Sequence, residues 1–445
     1  MKPLFLVIFC ICFIKSSILL LEAKTYSMKK LVFLFFFFSV AFSVLTQTVY
    51  RTQTLAPNIK TLQLRLATNP FALPILTLNG EDVLNIQFDE MSHETRLYSY
   101  RIFHCNADWT LSTLNSMEYL QGFPTGIISE YNTSTATIHN YTNYKFSIPN
   151  SDIRFTKSGN YVVQVYEDGQ QDKPVLQACF YIVEPHVGIS ATIRGNTDTE
   201  LNNRLQQIDF EVDLEKYNVN DAQKELKIIV RQNNRTDNEV INLKPTFMRA
   251  NVLSYINNRA LIFEGGNEYH RFDISSLYAG GNQVKKIEYN RTGYDAYLYD
   301  DAIQPSRIYT TEPDLNGRFI INLQGAYFDL DTEADYVNVN FSIPRDQPFF
   351  DGQIYIGGEY NYDLLNEASR MQYDFNSGKY FKTLLLKQGG YNYQYRFLPK
   401  GEQKALVEPI DGSFWQTRNE YTVYVYHRSW GGRYDQLIGV STFEN

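Results

Sequence analysis

Few side chains in this sequence have the types and spacing that catalysis or metal binding needs. The six histidines stand singly, without the short spacings of zinc sites. They are His93, His104, His139, His186, His270 and His427. The chain also lacks a Gly-x-Ser-x-Gly nucleophile elbow, a Gly-rich phosphate loop and a dinucleotide-binding fingerprint. The pattern predicts a protein with no catalytic residues, no cofactor and no metal.

Carboxylates come closest to forming a site in the run from Asp329 to Asp335, where acids recur at every second residue. Such spacing could offer oxygen ligands to Ca²⁺, but the run lacks the glycine and terminal glutamate of a helix-flanked calcium loop. We therefore favour a solvated loop. Glycoside hydrolysis stays as a third-ranked hypothesis, because the carboxylate pair it needs is defined in space rather than in sequence.

The cysteines leave two alternatives open. Cys10 and Cys12 belong to an N-terminal leader, so only Cys105 and Cys179 remain in the mature chain. In an oxidising compartment these two could form a disulfide, closing a loop of about 75 residues worth about 4 kcal/mol. Equally, both could be small buried hydrophobic residues.

Residues 1–46 have the layout of a secretory leader. Lys29 and Lys30 precede an apolar run from Leu31 to Leu45, which is followed by polar residues. The run is shorter than the roughly 20 residues that a membrane span needs, so an anchor is the weaker interpretation. Met28 is the predicted true start, with a tandem leader as the alternative.

Removal of the leader makes the protein more acidic. The leader holds five lysines and one glutamate, so the mature chain from Gln47 has a net charge of −12, compared with −8 for the full chain. An acidic surface repels phosphate backbones and anionic headgroups. The composition therefore argues against nucleic acid as a partner and against direct lipid insertion.

Period-2 hydrophobicity predicts an all-β fold. Segments such as 161–166, 208–214 and 421–426 alternate or are rich in β-branched and aromatic residues, with turn clusters between them. The 34 tyrosines and 30 phenylalanines suit half-buried sheet surfaces. Short strands at regular spacing are typical of tandem, immunoglobulin-like β-sandwich domains.

Prolines at strand ends suggest two domain boundaries, because proline cannot continue a ladder. One follows the strand ending at Val183, at Pro185, and the other lies between Ile343 and Pro344. The predicted domains are residues 47–185, 186–343 and 344–445. Within the last, the order of strands and the Gly-Tyr-x-Tyr-x-Tyr segment from Gly390 resemble early-set domains related to glycogen-binding modules.

One aromatic segment near the C-terminus is a candidate interaction surface. A strand ending at His427 enters a turn that carries Arg428, Trp430, Arg433 and Tyr434. Trp, Tyr and Arg dominate interface hot spots. The alternative, which we favour, is a structural hairpin in which Trp430 packs on the core.

Several segments, in order along the mature chain, resemble the plug-protein family of the type IX secretion system of Bacteroidota. They include residues 58–64, the Tyr-Arg-Ile-Phe-His-Cys-Asn-Ala-Asp-Trp run from Tyr100 to Trp109, Ser158–Tyr161, Leu243–Phe247, Asn258–Phe263 and Trp430–Asp435. The resemblance implies a non-enzymatic periplasmic protein at the inner face of the outer membrane. Its implied partner is the translocon barrel, whose periplasmic mouth it would close when no cargo passes.

The second hypothesis is a periplasmic or surface glycan-binding protein, from the likeness of the last domain to sugar-binding modules. It predicts that exposed aromatic residues such as Tyr360 or Tyr362 contact the sugar. The absence of tryptophan from that stretch weakens the hypothesis.

Overall fold

Segments in which apolar and polar side chains alternate form β-strands throughout the part of the chain that the structure describes. The computed structural model describes residues 48–305, 308–325 and 329–445, so the predicted leader and the start at Met28 lie outside the described residues. The strand content confirms the all-β prediction. None of the helices in these ranges is both long and apolar enough to span a bilayer.

The elements have the following bounds. The strands are β1 Gln53–Thr54, β2 Ile59–Leu66, β3 Ile75–Thr77, β4 Leu84–Glu90, β5 Tyr98–Cys105, β6 Leu120–Gly122, β7 Thr125–Ile128, β8 Glu130–Thr133, β9 Thr142–Ile148, β10 Ile153–Phe155, β11 Gly159–Glu167, β12 Pro174–Val183, β13 Gly188–Arg194, β14 Leu205–Asp213, β15 Leu226–Gln232, β16 Phe247–Arg249, β17 Val252–Tyr255, β18 Ile262–Glu264, β19 His270–Asp273, β20 Val284–Asn290, β21 Gly293–Leu298, β22 Phe319–Ile321, β23 Tyr336–Pro344, β24 Gly352–Gly357, β25 Gln372–Asp374, β26 Lys379–Lys387, β27 Gly389–Pro399, β28 Glu420–His427 and β29 Gln436–Glu444. The short helices are α1 Ser116–Tyr119, α2 Ala222–Glu225, α3 Leu330–Glu333 and α4 Glu408–Asp411.

The first core lies between two sheets of residues 59–182. One sheet has the order β1-β12-β11-β5-β7, with β3 also paired to β12, and the other has the order β2-β4-β9-β8. Their inner faces meet around Phe88, Tyr98, Tyr161 and Phe180, which are all at most 1% exposed. This is the sandwich that the alternating runs predict.

The second core combines two distant parts of the chain. One sheet has the order β13-β14-β17-β16, with β18 also paired to β14. The facing sheet has the order β15-β28-β29, so the hairpin of β28 and β29 joins a strand from residues 226–232 through β28. Buried residues from 208–263 and 421–438 fill the space between them.

The third core is built from residues 272–410, which lie between the two parts of the second core in sequence. Its sheets are β20-β21-β23-β26-β25 and the group in which β19, β22 and β24 all pair with β27. The predicted boundary at Pro185 falls between β12 and β13, whereas the one at Ile343–Pro344 falls within β23 of this core. A proline at a strand end is compatible with the interior of a domain as well as with a linker.

Candidate interaction surface

The first and second cores meet through a largely aromatic contact, here called the seam. It contains Tyr50, Trp109, Val162, Tyr181, Ile229, Tyr424, Tyr426 and Leu437, all at most 9% exposed. The rings of Tyr181 and Tyr424 stack with centroids 5.0 Å apart. Arg231 donates from Nη1 to the Tyr181 hydroxyl at 2.6 Å, and the Tyr426 hydroxyl donates to Asn160 Oδ1 at 2.8 Å. Arg231 and Tyr426 of the second core thus bond to Tyr181 and Asn160 of the first.

Asp435 fixes the loop of residues 428–435 against the seam. Its carboxylate is fully buried and accepts from the Ala107 backbone N–H at 3.0 Å, Lys227 Nζ at 2.9 Å and Arg428 Nε at 2.8 Å. Arg428 also donates from Nη2 to Asn106 Oδ1 at 2.6 Å. Because these partners come from both cores, the loop is held in one position.

The structure brings the four predicted interaction residues into this loop, but gives them different roles. Arg428 supports the loop from within, Arg433 pairs with Glu118 of the first core, and Tyr434 is half-buried against the His104 ring at 5.3 Å. Trp430 is 88% exposed and does not pack on a core. The core-packing alternative for Trp430 is therefore wrong, and the loop presents an aromatic anchor to solvent.

Cys105 and Cys179 are free, buried thiols in the seam. Cys105 lies opposite Asn160 and Cys179 lies opposite Val162, so β11 separates them. Two strand spacings amount to about 10 Å, whereas a disulfide spans a Cα separation of at most about 7 Å. Burial raises the pKa of Cys179 to about 12 and also raises that of Cys105. Of the two alternatives, the structure therefore shows the one in which both cysteines are buried thiols.

The first and third cores meet through a buried ionic contact, here called the ionic junction. Lys387 Nζ lies 2.7 Å from Asp89 Oδ2, and the two residues are 2% and 0% exposed. Asp89 also accepts from the Tyr336 hydroxyl and from Asn143 Nδ2, each at 2.7 Å. Lys387 Nζ lies 4.2 Å from the centroid of the Tyr141 ring. These donors give the buried Asp89 carboxyl the hydrogen-bond partners that a buried polar group requires.

The acidic run considered for calcium lies at the same junction. Asp335 accepts from the backbone N–H of Ile138 at 2.7 Å and of His139 at 3.1 Å. Burial alone would raise the pKa of Asp335, but these bonds and the His139 side chain lower it. Within the described ranges, no group of three His, Cys, Asp or Glu side chains is arranged to hold a metal ion.

Charged pairs also link the second and third cores. Arg318 makes a two-pronged contact with Glu420 of β28, with both N–O distances 2.7 Å. Deeper in the contact, Arg396 of the third core is fully buried, and its Nη1 lies 4.0 Å from Oδ1 of Asp237 in the second core. Each pair of cores therefore has its own polar bridge.

The aromatic residues predicted for glycan binding are not open platforms. Tyr360 is half-buried, and its ring packs against Tyr391 at 5.7 Å. Tyr362 is also half-buried and donates its hydroxyl to the Leu62 carbonyl at 3.1 Å. Neither ring is free for stacking on a sugar.

Sequence reasoning missed the residues that join the cores. Asp435, Lys387 and Arg231 are charged residues at or near the ends of strands that are rich in apolar or aromatic residues. That is the available signal, since a buried charge requires a partner. Nothing in the local sequence identifies which partner it meets.

Comparison with known proteins identifies a family and a close structural relative. A family model described as the first domain of the type 9 secretion system plug protein matches residues 59–184. The crystal structure of a hypothetical protein from Parabacteroides merdae is 41% identical, with a TM-score of 0.88, over 90% of this chain and all of that one.

Other comparisons add nothing to the assignment. An alkylpurine DNA glycosylase of Pseudomonas fluorescens, bound to DNA with an abasic-site analogue, is 12% identical over 28% of this chain and 30% of its own. Its TM-score of 0.16 carries no argument about fold or function. No curated protein matches the chain.

Proposed function

Because the chain belongs to the type IX secretion system plug family, we propose that it binds the periplasmic mouth of the outer-membrane translocon barrel and closes it when no cargo is passing. The family is a non-enzymatic component of a secretion system with a periplasmic, envelope-associated location. The proposal extends this to the chain itself: it acts by binding, at the inner face of the outer membrane.

Mechanical stiffness is the observation that supports the proposal most. A plug must keep its shape against a wide opening, and separate domains joined by linkers would not. Here the seam, the ionic junction and the Arg318–Glu420 contact join every pair of cores through buried or half-buried polar bridges. Closely packed interiors have low compressibility, so the three cores move as one body.

The loop of residues 428–435 supplies a fixed contact for the partner. Trp430 projects from a loop that Asp435 anchors by three hydrogen bonds, so little side-chain and loop entropy is lost when a partner covers it. Met117, next to Glu118 of the Arg433 pair, is 91% exposed and enlarges the apolar surface nearby. A displaceable plug would bind with a Kd of about 10⁻⁶–10⁻⁸ M, or about 8–11 kcal/mol.

The charge of the protein fits a protein partner better than a lipid one. A net charge of −12 for the chain from Gln47 opposes docking on anionic headgroups. The proposed contact with the outer membrane is therefore made through the barrel protein.

Affinity capture of the barrel from solubilised outer membranes tests the proposal. Tagged wild-type protein should enrich the barrel subunit, and Trp430→Ala should reduce its recovery about tenfold, in line with loss of an aromatic hot spot. Tyr278→Ala is the matched control, because Tyr278 is 94% exposed in a loop of the third core. No enrichment of the barrel by the wild-type protein would overturn the proposal.

A physiological measurement separates closure from mere binding. Cells without the protein should admit a large hydrophilic antibiotic through the open barrel, and the wild-type gene should restore exclusion. Unchanged uptake in cells that lack the protein, with the barrel present, would show that the protein does not close it.

A further inference from the structure

A cavity of about 500 Å³ lies where the three cores meet. Arg65 of the first core bridges to Glu359 of the third, with Nη2 2.9 Å from Oε2. Arg318 bridges the third core to Glu420 of the second, and both pairs line the cavity. Its size is within the usual range of ligand sites, about 300–1,000 Å³.

The lining carries no net charge. Five basic and five acidic side chains face the cavity, and they include Arg231 with Glu239 at 2.8 Å. The lining also includes the neutral amides of Asn234, Asn242 and Asn316. Paired charges attract no ion strongly, whereas amides offer donors and acceptors to an uncharged polar ligand. The ligand that fits is therefore uncharged and polar, with apolar groups for the remaining wall.

One wall of the cavity is a sheet edge, whose Leu62 carbonyl already accepts from the Tyr362 hydroxyl at 3.1 Å. Residues 62–65 of β2 line the cavity, and β2 pairs with β4 on one side only. Ala67 donates to Val83 across that ladder at 2.9 Å. Since backbone groups alternate in direction along a strand, Gln63 and Arg65 also face β4. The N–H and C=O of Leu64 then face the cavity.

The opposite wall contains a second edge strand. Lys227, Ile228 and Ile229 of β15 line the cavity, and β15 pairs with β28 on its other side. On this edge of β15, Val230 forms an isolated bridge to Val240. Two strand edges facing one neutral cavity are suited to an added strand, since main-chain hydrogen bonds provide affinity in such complexes.

We propose that this cavity binds an extended, uncharged peptide segment by adding it to the edge of β2. At about 3.3 Å per residue, the four residues of β2 that line the cavity span about 13 Å, room for about four peptide residues. Ile241, 51% exposed, and Val49, 49% exposed, line the cavity and provide apolar contact for alternate side chains. The inference concerns this cavity alone and does not depend on the translocon barrel.

A sugar fits the same cavity less well. The rings that line it are covered: Trp109 is 9% exposed, Tyr181 5% and Phe319 3%. A sugar would need an open aromatic face, whereas a peptide strand needs a backbone edge and flanking amides. The geometry therefore favours the peptide.

Hydrogen exchange with a defined peptide pool tests the proposal. The probe is a pool of acetylated, amidated heptapeptides in which Val, Leu or Phe alternates with Ser, Thr or Asn. Bound peptide should slow exchange at the Leu64 amide. A matched pool with proline at alternate positions cannot donate to the edge, so its apparent affinity should be lower by about tenfold or more.

Two variants localise the binding. Thr236→Trp places a large ring at an exposed position in the lining and should abolish protection of Leu64. Thr125→Trp makes the same change at an exposed residue of β7, outside the lining, and should leave protection intact. Equal urea midpoints for both variants show that neither has lost its fold.

Three results would overturn the proposal. They are no slowing of exchange at Leu64 with millimolar peptide, equal binding of the proline pool, and binding by Thr236→Trp equal to that of wild type. Maltohexaose is included as a carbohydrate probe. Binding of maltohexaose that Thr236→Trp abolishes, with no effect of the peptides, would assign the cavity to a sugar and overturn the peptide proposal as well.

Discussion

The seam and the ionic junction attach the same first core to its two neighbours by opposite means. In the seam, stacked tyrosines and aliphatic side chains exclude water, and polar groups such as Arg231 are fitted among them. In the ionic junction, the Asp89–Lys387 pair lies at the centre, and the Tyr336 hydroxyl and the Asn143 amide donate to its carboxylate. In the seam, shortening one side chain should remove only the area that it buries. In the ionic junction, removing either Asp89 or Lys387 leaves the other buried without its partner.

The difference shows how stability and specificity are divided between the two contacts. Apolar area stabilises in proportion to what is buried, at about 25 cal/mol per Å². A buried ion pair adds little net stability but penalises any arrangement that separates it. The ionic junction therefore fixes how the first and third cores are aligned, and the seam provides most of the attachment.

The largest expected effect comes from removing one member of the buried pair. Lys387→Met leaves Asp89 charged and without its cation, and should lower the free energy of unfolding by about 3–5 kcal/mol. The double variant Asp89→Asn/Lys387→Met should recover most of that loss, because no uncompensated charge remains. Urea unfolding measures both. A single variant as stable as wild type would show that the pair does not control this contact.

Truncation in the seam should have a smaller effect. Leu437 is fully buried among the seam residues, and Leu437→Ala should lower the free energy of unfolding by about 3 kcal/mol. Leu55→Ala is the control, since Leu55 is 43% exposed and should lose less than about 1 kcal/mol. Equal losses at the two positions would mean that the seam is not a packed core.

Acid should weaken the first core through His104, whose ring packs against Tyr161 with centroids 4.9 Å apart. Burial lowers the pKa of His104 to about 4, from 6.5 in the unfolded chain. The unfolded state then binds more protons between pH 6.5 and pH 4, so stability falls as the pH drops through that range, by at most about 3 kcal/mol. His104→Gln can still donate to the Ser158 carbonyl and should show a shallower pH dependence.

The comparison between wild type and His104→Gln matters because another group acts in the opposite sense. Burial raises the pKa of Asp314 to about 6, so the folded state binds more protons between about pH 4 and pH 6, and stability falls there as the pH rises. That contribution is common to both proteins and cancels in the difference. Identical slopes would exclude His104 as the acid-sensitive group.

The smallest effect on stability is expected at Trp430. Its ring packs on neither contact, so Trp430→Ala should change the free energy of unfolding by less than about 0.5 kcal/mol. Thermal unfolding checks this, together with the barrel capture described above. A large loss of stability would assign Trp430 a structural role and would remove the basis for interpreting the capture result.

Local patterns in the sequence predicted the strands but not their partners. Residues 161–166 and 421–426 form β11 and β28, whose alternate side chains enter a core on one face and the seam on the other. The pairing of β28 with β15 joins residues about two hundred positions apart, and no local pattern specifies it. Pro344 suggested a domain boundary because the local sequence does not show which strands pair around it.

The sequence indicated which residue types form the candidate surface, but not which of them are exposed. The Trp, Tyr and Arg content of residues 428–434 indicated hot-spot residues, yet the sequence could not distinguish Trp430, which is exposed, from Tyr434, which is half-buried. That distinction depends on Asp435, whose partners Ala107 and Lys227 come from two different cores. The sequence could not decide whether Cys105 and Cys179 form a disulfide, because only the fold shows that β11 lies between them.

The return of the last hairpin to the second core has a consequence for biogenesis. As the polypeptide emerges from the ribosome or an export channel, the first core has all its strands early, but β15 must wait for β28 and β29. Long-range pairing of this kind is slow and leaves an unpaired edge exposed in the meantime. We expect the protein to acquire its final shape only when its last residues are released, so that a truncated product could not assemble the Trp430 loop.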